Sequence, residues 1–407
     1  MKTKKVELLA PAGNMEKFFT AIHFGADAVY LSGKNFGLRA FADNFDADQL
    51  AFCVKYAHER GKKIYVTVNI FASDSDFDEL KDYLAYLQKI GVDAALVSDA
   101  GVISFAKKVA PDLPLHLSTQ ANTLNSYAVD FWHKQGLERV VLARECTIRQ
   151  IKAICDFNPD CEIEAFVHGA MCVSYSGRCL MSNYLTGRDA NRGECVQACR
   201  WSWKIEEEGH TDNPFILKQD QRGTYIFNSK DLNLLDKLKE VVESGVASLK
   251  IEGRMKSVHY VATIVNAYRR ALDAYYANPD KFNVADDLIE ETFKTVHREY
   301  THGFTFPDKT IRQSVINGKA ECDNDFVAAV KGYQNGKVYV EMRNKFAEGD
   351  ELEILSPDDS FGKTVKVVGL CDKDLNPIPV AKLVKQIVCF DCPYPLKEYD
   401  ILRTHKQ

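Results

Sequence analysis

Four cysteines fall within 28 residues of this chain, Cys172, Cys179, Cys195 and Cys199, in the pattern C-x6-C-x15-C-x3-C. Four thiolates make one complete tetrahedral donor set for a zinc ion or an iron–sulfur cluster. The residues themselves leave both open, beside a third reading as buried structural thiols. The spacing lacks the C-x2-C pairs of zinc ribbons, which tilts the donor set toward a cluster. It also lacks the C-x3-C-x2-C of radical enzymes that use S-adenosylmethionine. Polar and cationic groups crowd the set: His168, Arg178, Arg188, Arg192 and Arg200.

Just before the first cysteine, the run EAFVH places Glu164 and His168 four residues apart. On a regular strand, residues four apart face the same side. The pair is therefore a candidate acid–base couple, with His168 able to move a proton and Glu164 requiring a cationic partner if buried. Other predicted strand ends carry Asn69, Asp99, Gln120, Arg144, Glu145, Lys250, Glu252 and Arg254. Lys250, Glu252 and Arg254, with Arg178 and with Arg39 in NFGLRAFADNF, form a candidate site for an anionic substrate. The bland alternative is that several of these groups cap helices or pair with one another. The chain has neither a G-x-S-x-G elbow nor an H-E-x-x-H zinc helix, so no hydrolase assembles from its motifs.

Such residues need a frame. Short apolar runs at 7–10, 28–32, 63–69, 94–98, 113–118, 139–143, 162–167 and 248–252 alternate with amphipathic helices. Their near-continuous hydrophobicity is that of strands covered on both faces. Eight such βα units predict an α/β fold, a (β/α)8 TIM-like barrel over residues 1–300. A cysteine-bearing insertion, about residues 170–230, follows strand seven, and its second half reads as a β-hairpin. A helix is expected over 232–245. Loops that follow barrel strands gather at the C-terminal face, so the cysteines are expected there. From 310 to 407 the texture changes to short strands separated by NG, EGD and PDDS turns, predicting a small C-terminal β-barrel domain.

Composition sets the outer limits. An apolar fraction of 46% supports a large core, and a net charge of −5 excludes a grossly basic nucleic-acid binder without excluding a local basic groove. No run reaches the 18 or so apolar residues of a membrane span, and the N-terminus has no secretory apolar region, so a cytoplasmic location is expected. In that compartment Cys53, Cys146, Cys155 and Cys161 read as small core residues rather than disulfide partners.

The stretch EAFVHGAMCVSYSGRCLMS, continued by NRGECVQACRW, resembles the peptidase U32 (collagenase-like protease) family. APAGN, NFGLRAFADNF, NSKDLNLLDKL, SLKIEGRMKS and KFAEGDELEIL extend the likeness over nearly the whole chain. The resemblance is greatest to the group that forms 5-hydroxyuridine at the tRNA wobble position. It implies a [4Fe–4S] cluster on Cys172, Cys179, Cys195 and Cys199, with zinc as the alternative. It also implies prephenate as co-substrate, the tRNA anticodon loop as partner, and assembly with itself or a family paralogue. Three other readings stay beside it: a peptidase, as the family name says; a hydroxylase of ribosomal RNA; and a noncatalytic RNA-modification partner holding structural zinc.

Overall fold

Eight apolar runs pair edge to edge in strict chain order until the last meets the first. The computed structural model describes residues 5–38, 43–172, 174–200, 219–220, 223–224, 230–307, 322 and 324–405. The strands are β1 (Glu7–Pro11), β2 (Ala28–Leu31), β3 (Lys63–Val68), β4 (Ala94–Val97), β5 (Leu115–Leu117), β6 (Arg139–Val141) and β7 (Glu162–Ala170), followed by Ser248–Ile251. Each is parallel to the next, and Ser248–Ile251 pairs with both β7 and β1, which closes the barrel. Closure leaves no exposed strand edge in the ring.

The helices between strands begin where the sequence offers caps. Asp46 and Gln49 form a reciprocal capping box on Ala47–His58, and Thr147 and Gln150 form another on Ile148–Phe157. Such caps are worth about 1 kcal/mol each. Asp99 is one of them: its carboxylate accepts from the Val102 N–H and starts the helix Ala100–Val109, so it serves the frame and not the site. Val258–Ala277 is buried along most of its first four turns, because it packs on the barrel with one side and against the C-terminal sheet with the other. Cys53, Cys146 and Cys161 are buried and Cys155 half-buried, and burial pushes the Cys53 thiol up to about 12 and the Cys161 thiol up to about 11.

Two local expectations fail. Residues 232–245 do not form one helix. Asp231–Asn233 is instead a short strand antiparallel to β7, and the helix is only Leu238–Glu243 after a 3-10 turn. The Asn233 carboxamide explains the break by accepting from the Leu235 N–H, a local bond that competes with helix. Of the predicted hairpin in the insertion, only the strand pair Gln219–Asp220 and Gly223–Thr224 is described; the rest lies outside the described residues.

The C-terminal residues fold as a seven-stranded sheet around their own core, which includes Val330, Val340, Ile354, Val388, Phe390 and Leu402. Neighbouring strands in it are antiparallel, and its two end strands, Thr364–Lys366 and Cys371–Asp372, are not paired with each other among the described residues. Arg403 ties this sheet to the first part of the chain. Its fully buried guanidinium forks onto both Glu291 oxygens at 2.7 Å each and reaches Glu353 at 2.8 Å. Removing one partner of such a pair leaves a buried charge unmatched. Arg403→Ala is therefore expected to cost about 3–5 kcal/mol of stability, read as a lower urea midpoint by circular dichroism.

Candidate functional site

The site stands on a charged floor inside the barrel. Arg139, the first residue of β6, is 2% exposed and reaches Glu7 at 2.6 Å, Glu162 at 2.6 Å and Glu164 at 3.1 Å. Lys250 meets the other Glu164 oxygen at 2.6 Å. The Tyr65 and Ser248 hydroxyls donate to Glu7 at 2.7 and 2.9 Å. Burial works against the Arg139 charge, yet Glu164 and Glu7 outweigh it and raise its pKa. His116 lies against Tyr65 in the same layer, and burial, then Arg139 and Lys250, hold its pKa well below the ordinary histidine range. Glu164 thus has the cationic partners its burial requires.

Above this floor opens a cavity of about 120 Å³, several times the roughly 10–15 Å³ that one water needs. Lys250, Arg254, Arg144 and Glu252 line it together with Thr67, Asn69, Ser118 and Gln120. Tyr30 and Phe166 supply the apolar walls: the Lys250 ammonium lies 4.6 Å from the Tyr30 ring centre, and the Arg144 guanidinium 3.8 Å from that of Phe166. Arg144 also pairs with Glu252 at 3.0 Å. The Asn69 amide donates to Ser118 and Gln120 at 3.1 Å each, while its buried carbonyl oxygen has no partner among the described residues. An acceptor left open at a cavity wall is a place for a ligand donor. Gly13, in APAGN, passes so close to the segment after the last barrel strand that a Cβ there would lie 2.2 Å from the Arg254 carbonyl oxygen.

The cysteine segment roofs this cavity, and Cys172, Cys179, Cys195 and Cys199 all line it. Several attachments hold the roof down. Ser176, in the left-handed region at φ 43°, donates its N–H and hydroxyl to the Glu145 carboxylate at 2.8 and 2.7 Å. Arg178 donates to the Gln120 carbonyl at 2.7 Å. Arg192 forks onto Asp76 at 2.9 Å through both terminal nitrogens, and this pairing holds the Asp76 carboxyl well below its usual range. The Phe71 N–H donates to the Asn191 carbonyl at 3.1 Å.

Among the described residues no three His, Cys, Asp or Glu side chains stand close enough together to form a finished metal site. The donor set nonetheless fits a thiolate-held group. Four soft sulfurs border one cavity. Backbone N–H groups of Met181 and Gln197 point at the sulfurs of Cys179 and Cys195, each at 3.4 Å, as anionic sulfur requires. Burial raises the Cys172 thiol, with Cys179 and Cys195 among its electrostatic neighbours, and the Arg144 charge opposes the rise.

Of the residues singled out in the sequence, Lys250, Glu252 and Arg254 come together at the cavity with the four cysteines. Arg178 is not among the residues that line it; it is exposed, with its guanidinium 5.4 Å from the Phe71 ring centre. Arg39 lies outside the described residues. The two candidate catalytic groups require correction, because Glu164 and His168 do not face the same side. Phe166 pairs with Lys250 and His168 with the next residue, Ile251, so Val167 is an extra residue that bulges β7. A bulge reverses the alternation beyond it. Glu164 and Phe166 therefore point inward, while His168 turns outward against Tyr260, Tyr268 and Tyr300. Glu164 is sealed in the floor beneath the cavity. Burial leaves His168 neutral, its pKa lowered to about 3. The Ser176 hydroxyl is committed to Glu145 and has no hydrogen bond to a histidine among the described residues. Arg139 and Glu145, which support floor and roof, were not singled out as structural supports; the acids at 7, 162 and 164 were the available sign that an arginine must face them.

The peptidase family U32 model matches residues 13–314, and the peptidase family U32 C-terminal domain model matches residues 323–403. The chain is 41% identical over 408 residues to the tRNA hydroxylation protein P1 of Bacillus subtilis, covering 99% of this chain and 96% of that one. It is 36% identical over 407 residues to the tRNA hydroxylation protein P of Escherichia coli, covering 89% and 88%. The E. coli 23S rRNA 5-hydroxycytidine C2501 synthase is 36% identical over 315 residues, 75% of this chain and 46% of that one.

The outward, neutral His168 gives a pH prediction. Its folded pKa, about 3, lies below the ordinary 6.5, so in this window the unfolded chain binds the extra proton. Stability then falls as pH falls from about 6.5 toward about 3. His259, also lowered to about 3 by burial, acts in the same direction. His168→Phe is expected to make the fall shallower between about pH 7 and about pH 5, measured as urea midpoints against pH. An unchanged slope would mean that His168 is not buried neutral.

Proposed function

The chain belongs to peptidase family U32, and from that membership we propose that it acts in tRNA hydroxylation, forming 5-hydroxyuridine at the wobble position with prephenate as co-substrate and a [4Fe–4S] cluster on Cys172, Cys179, Cys195 and Cys199. The observation that carries this reading is the cavity itself: four cysteines and two buried cations, Lys250 and Arg254, line one small space. A relative named for tRNA hydroxylation matches the chain along 99% of its length.

In this reading Lys250 and Arg254 bind the carboxylates of the small acid, and the Glu164–Arg139 floor fixes Lys250 at its post. Tyr30 and Phe166 give its ring an apolar seat, and the Asn69 carbonyl accepts from its hydroxyl. The roof excludes bulk water, which strengthens every charge contact beneath it. A bound cluster supplies one-electron chemistry at the roof. Uridine approaches the roof unstacked from an anticodon loop, because a base paired and stacked inside a helix cannot be presented to it. Peptide-bond hydrolysis gains nothing from this arrangement, since the Ser176 hydroxyl is engaged by Glu145 and His168 faces away.

Two measurements test the proposal. Protein purified without oxygen is expected to carry about four irons per chain, and Cys179→Ser is expected to lose most of them while keeping its circular dichroism. Stoichiometric zinc in place of iron would overturn the cofactor. Nucleoside mass spectrometry of tRNA from a deletion strain is expected to show loss of 5-hydroxyuridine derivatives, restored by the wild-type chain and not by Lys250→Met. Unchanged tRNA with altered ribosomal RNA would move the substrate to the other branch of the family.

A further inference from the structure

The cysteine roof is also a wall, because a second cavity, of about 320 Å³, lies on its far side. Five residues line both spaces: Arg144, Cys172, Cys195, Cys199 and Glu252. Cys179 lines only the inner one. The outer cavity has a different chemistry from the inner. Its far rim is made by Met255, Lys256, Val296 and Arg298. Met255 and Val296 are 46% and 40% exposed, an unusual outlay of large apolar surface beside a buried polar site. Three cations and one carboxylate line the space. The Lys256 ammonium is held in place by Asp231 at 3.3 Å and by the Val296 carbonyl at 3.1 Å.

We propose that this outer cavity is the nucleotide subsite, taking one unpaired pyrimidine nucleotide of an RNA loop. The base lies against Met255 and Val296 with its edge toward the cysteine wall, and its phosphates meet Lys256 and Arg298. The inner cavity then keeps the small anionic acid. Apolar surface for a base face, set beside cations for phosphate, is the pairing that grips single-stranded nucleic acid. A small polyanion alone would leave the apolar half of the rim without a partner. The two ligands approach the wall from opposite sides and share only the residues that form it. The inference rests on the RNA reading given above, and it adds where the nucleotide sits and which residues hold it.

The test uses the cluster-loaded full chain and two probes: a synthetic anticodon stem–loop with uridine at the wobble position, and prephenate. Met255→Glu sets a carboxylate at an exposed position, and Arg298→Ala removes one phosphate partner. Met255→Glu is expected to weaken stem–loop binding about tenfold, and Arg298→Ala to reduce the salt slope of binding by about 1. Both are expected to leave prephenate binding, read by thermal shift, as in the wild type. Wild-type stem–loop affinity and salt slope in both variants would overturn the subsite. Loss of both probes in a normally folded Met255→Glu would also overturn it, by showing one shared site. If the wild-type chain binds no stem–loop at any salt, the RNA reading itself falls, and the subsite with it.

Discussion

The arrangement depends on one buried guanidinium. Arg139 sits within the barrel ring and holds three carboxylates from β1 and β7. Arg139 and Glu164 lie far from water, where charges are tolerated only when matched, and breaking such a match costs several kcal/mol. The network is therefore a constraint on every residue near it. Glu164 is fixed by Arg139 on one oxygen and Lys250 on the other, so the ammonium that enters the cavity is oriented from below. A hydrophobic barrel floor of the same volume could be equally stable. It could not hand a positioned cation to the space above it.

The roof is held on different terms. Its attachments are a carboxylate on a left-handed serine, a forked arginine, and backbone bonds. Each is of a kind worth about a kilocalorie at a partly exposed position. They come from loops after β3, β5 and β6, so the roof is spread over half the ring and no single loop controls it. A rigid charged floor under a multiply tethered lid of thiols suits a site where one ligand must stay put while soft donors settle around a bound group.

Much of this was legible in the sequence, for identifiable reasons. The eight strands declared themselves because a strand covered on both faces has to be apolar throughout. The cysteines were placed on the correct face because loops that follow barrel strands all emerge there. Lys250, Glu252 and Arg254 lie at the end of a strand whose alternation is regular up to Lys250, and they line the cavity. His168 could not be placed, because its orientation turns on a single unpaired residue, Val167, and pairing is a property of two strands. The segment at 232 misled for a related reason: its apolar spacing suits a helix, but Asp231–Asn233 finds an edge of β7 to pair with. Charge partners were the least readable of all. That Glu164 needed a cation was plain, but which one required knowing that β6 and the strand Ser248–Ile251 both flank β7.

The bulge at Val167 has an architectural consequence. Up to Phe166 the chain is a conventional barrel strand, and past it inside and outside have exchanged places. The glycine that follows, Gly169, sits at φ 108°, and a Cβ there would lie 2.4 Å from the Glu252 carbonyl oxygen. Together they form an adaptor between a generic scaffold and a specialised lid. A lid of this kind cannot be grafted onto another barrel at the end of a regular strand, because it would arrive inside out. It has to travel with its adaptor, and residues 166–169 are the smallest piece of chain that carries the change of frame.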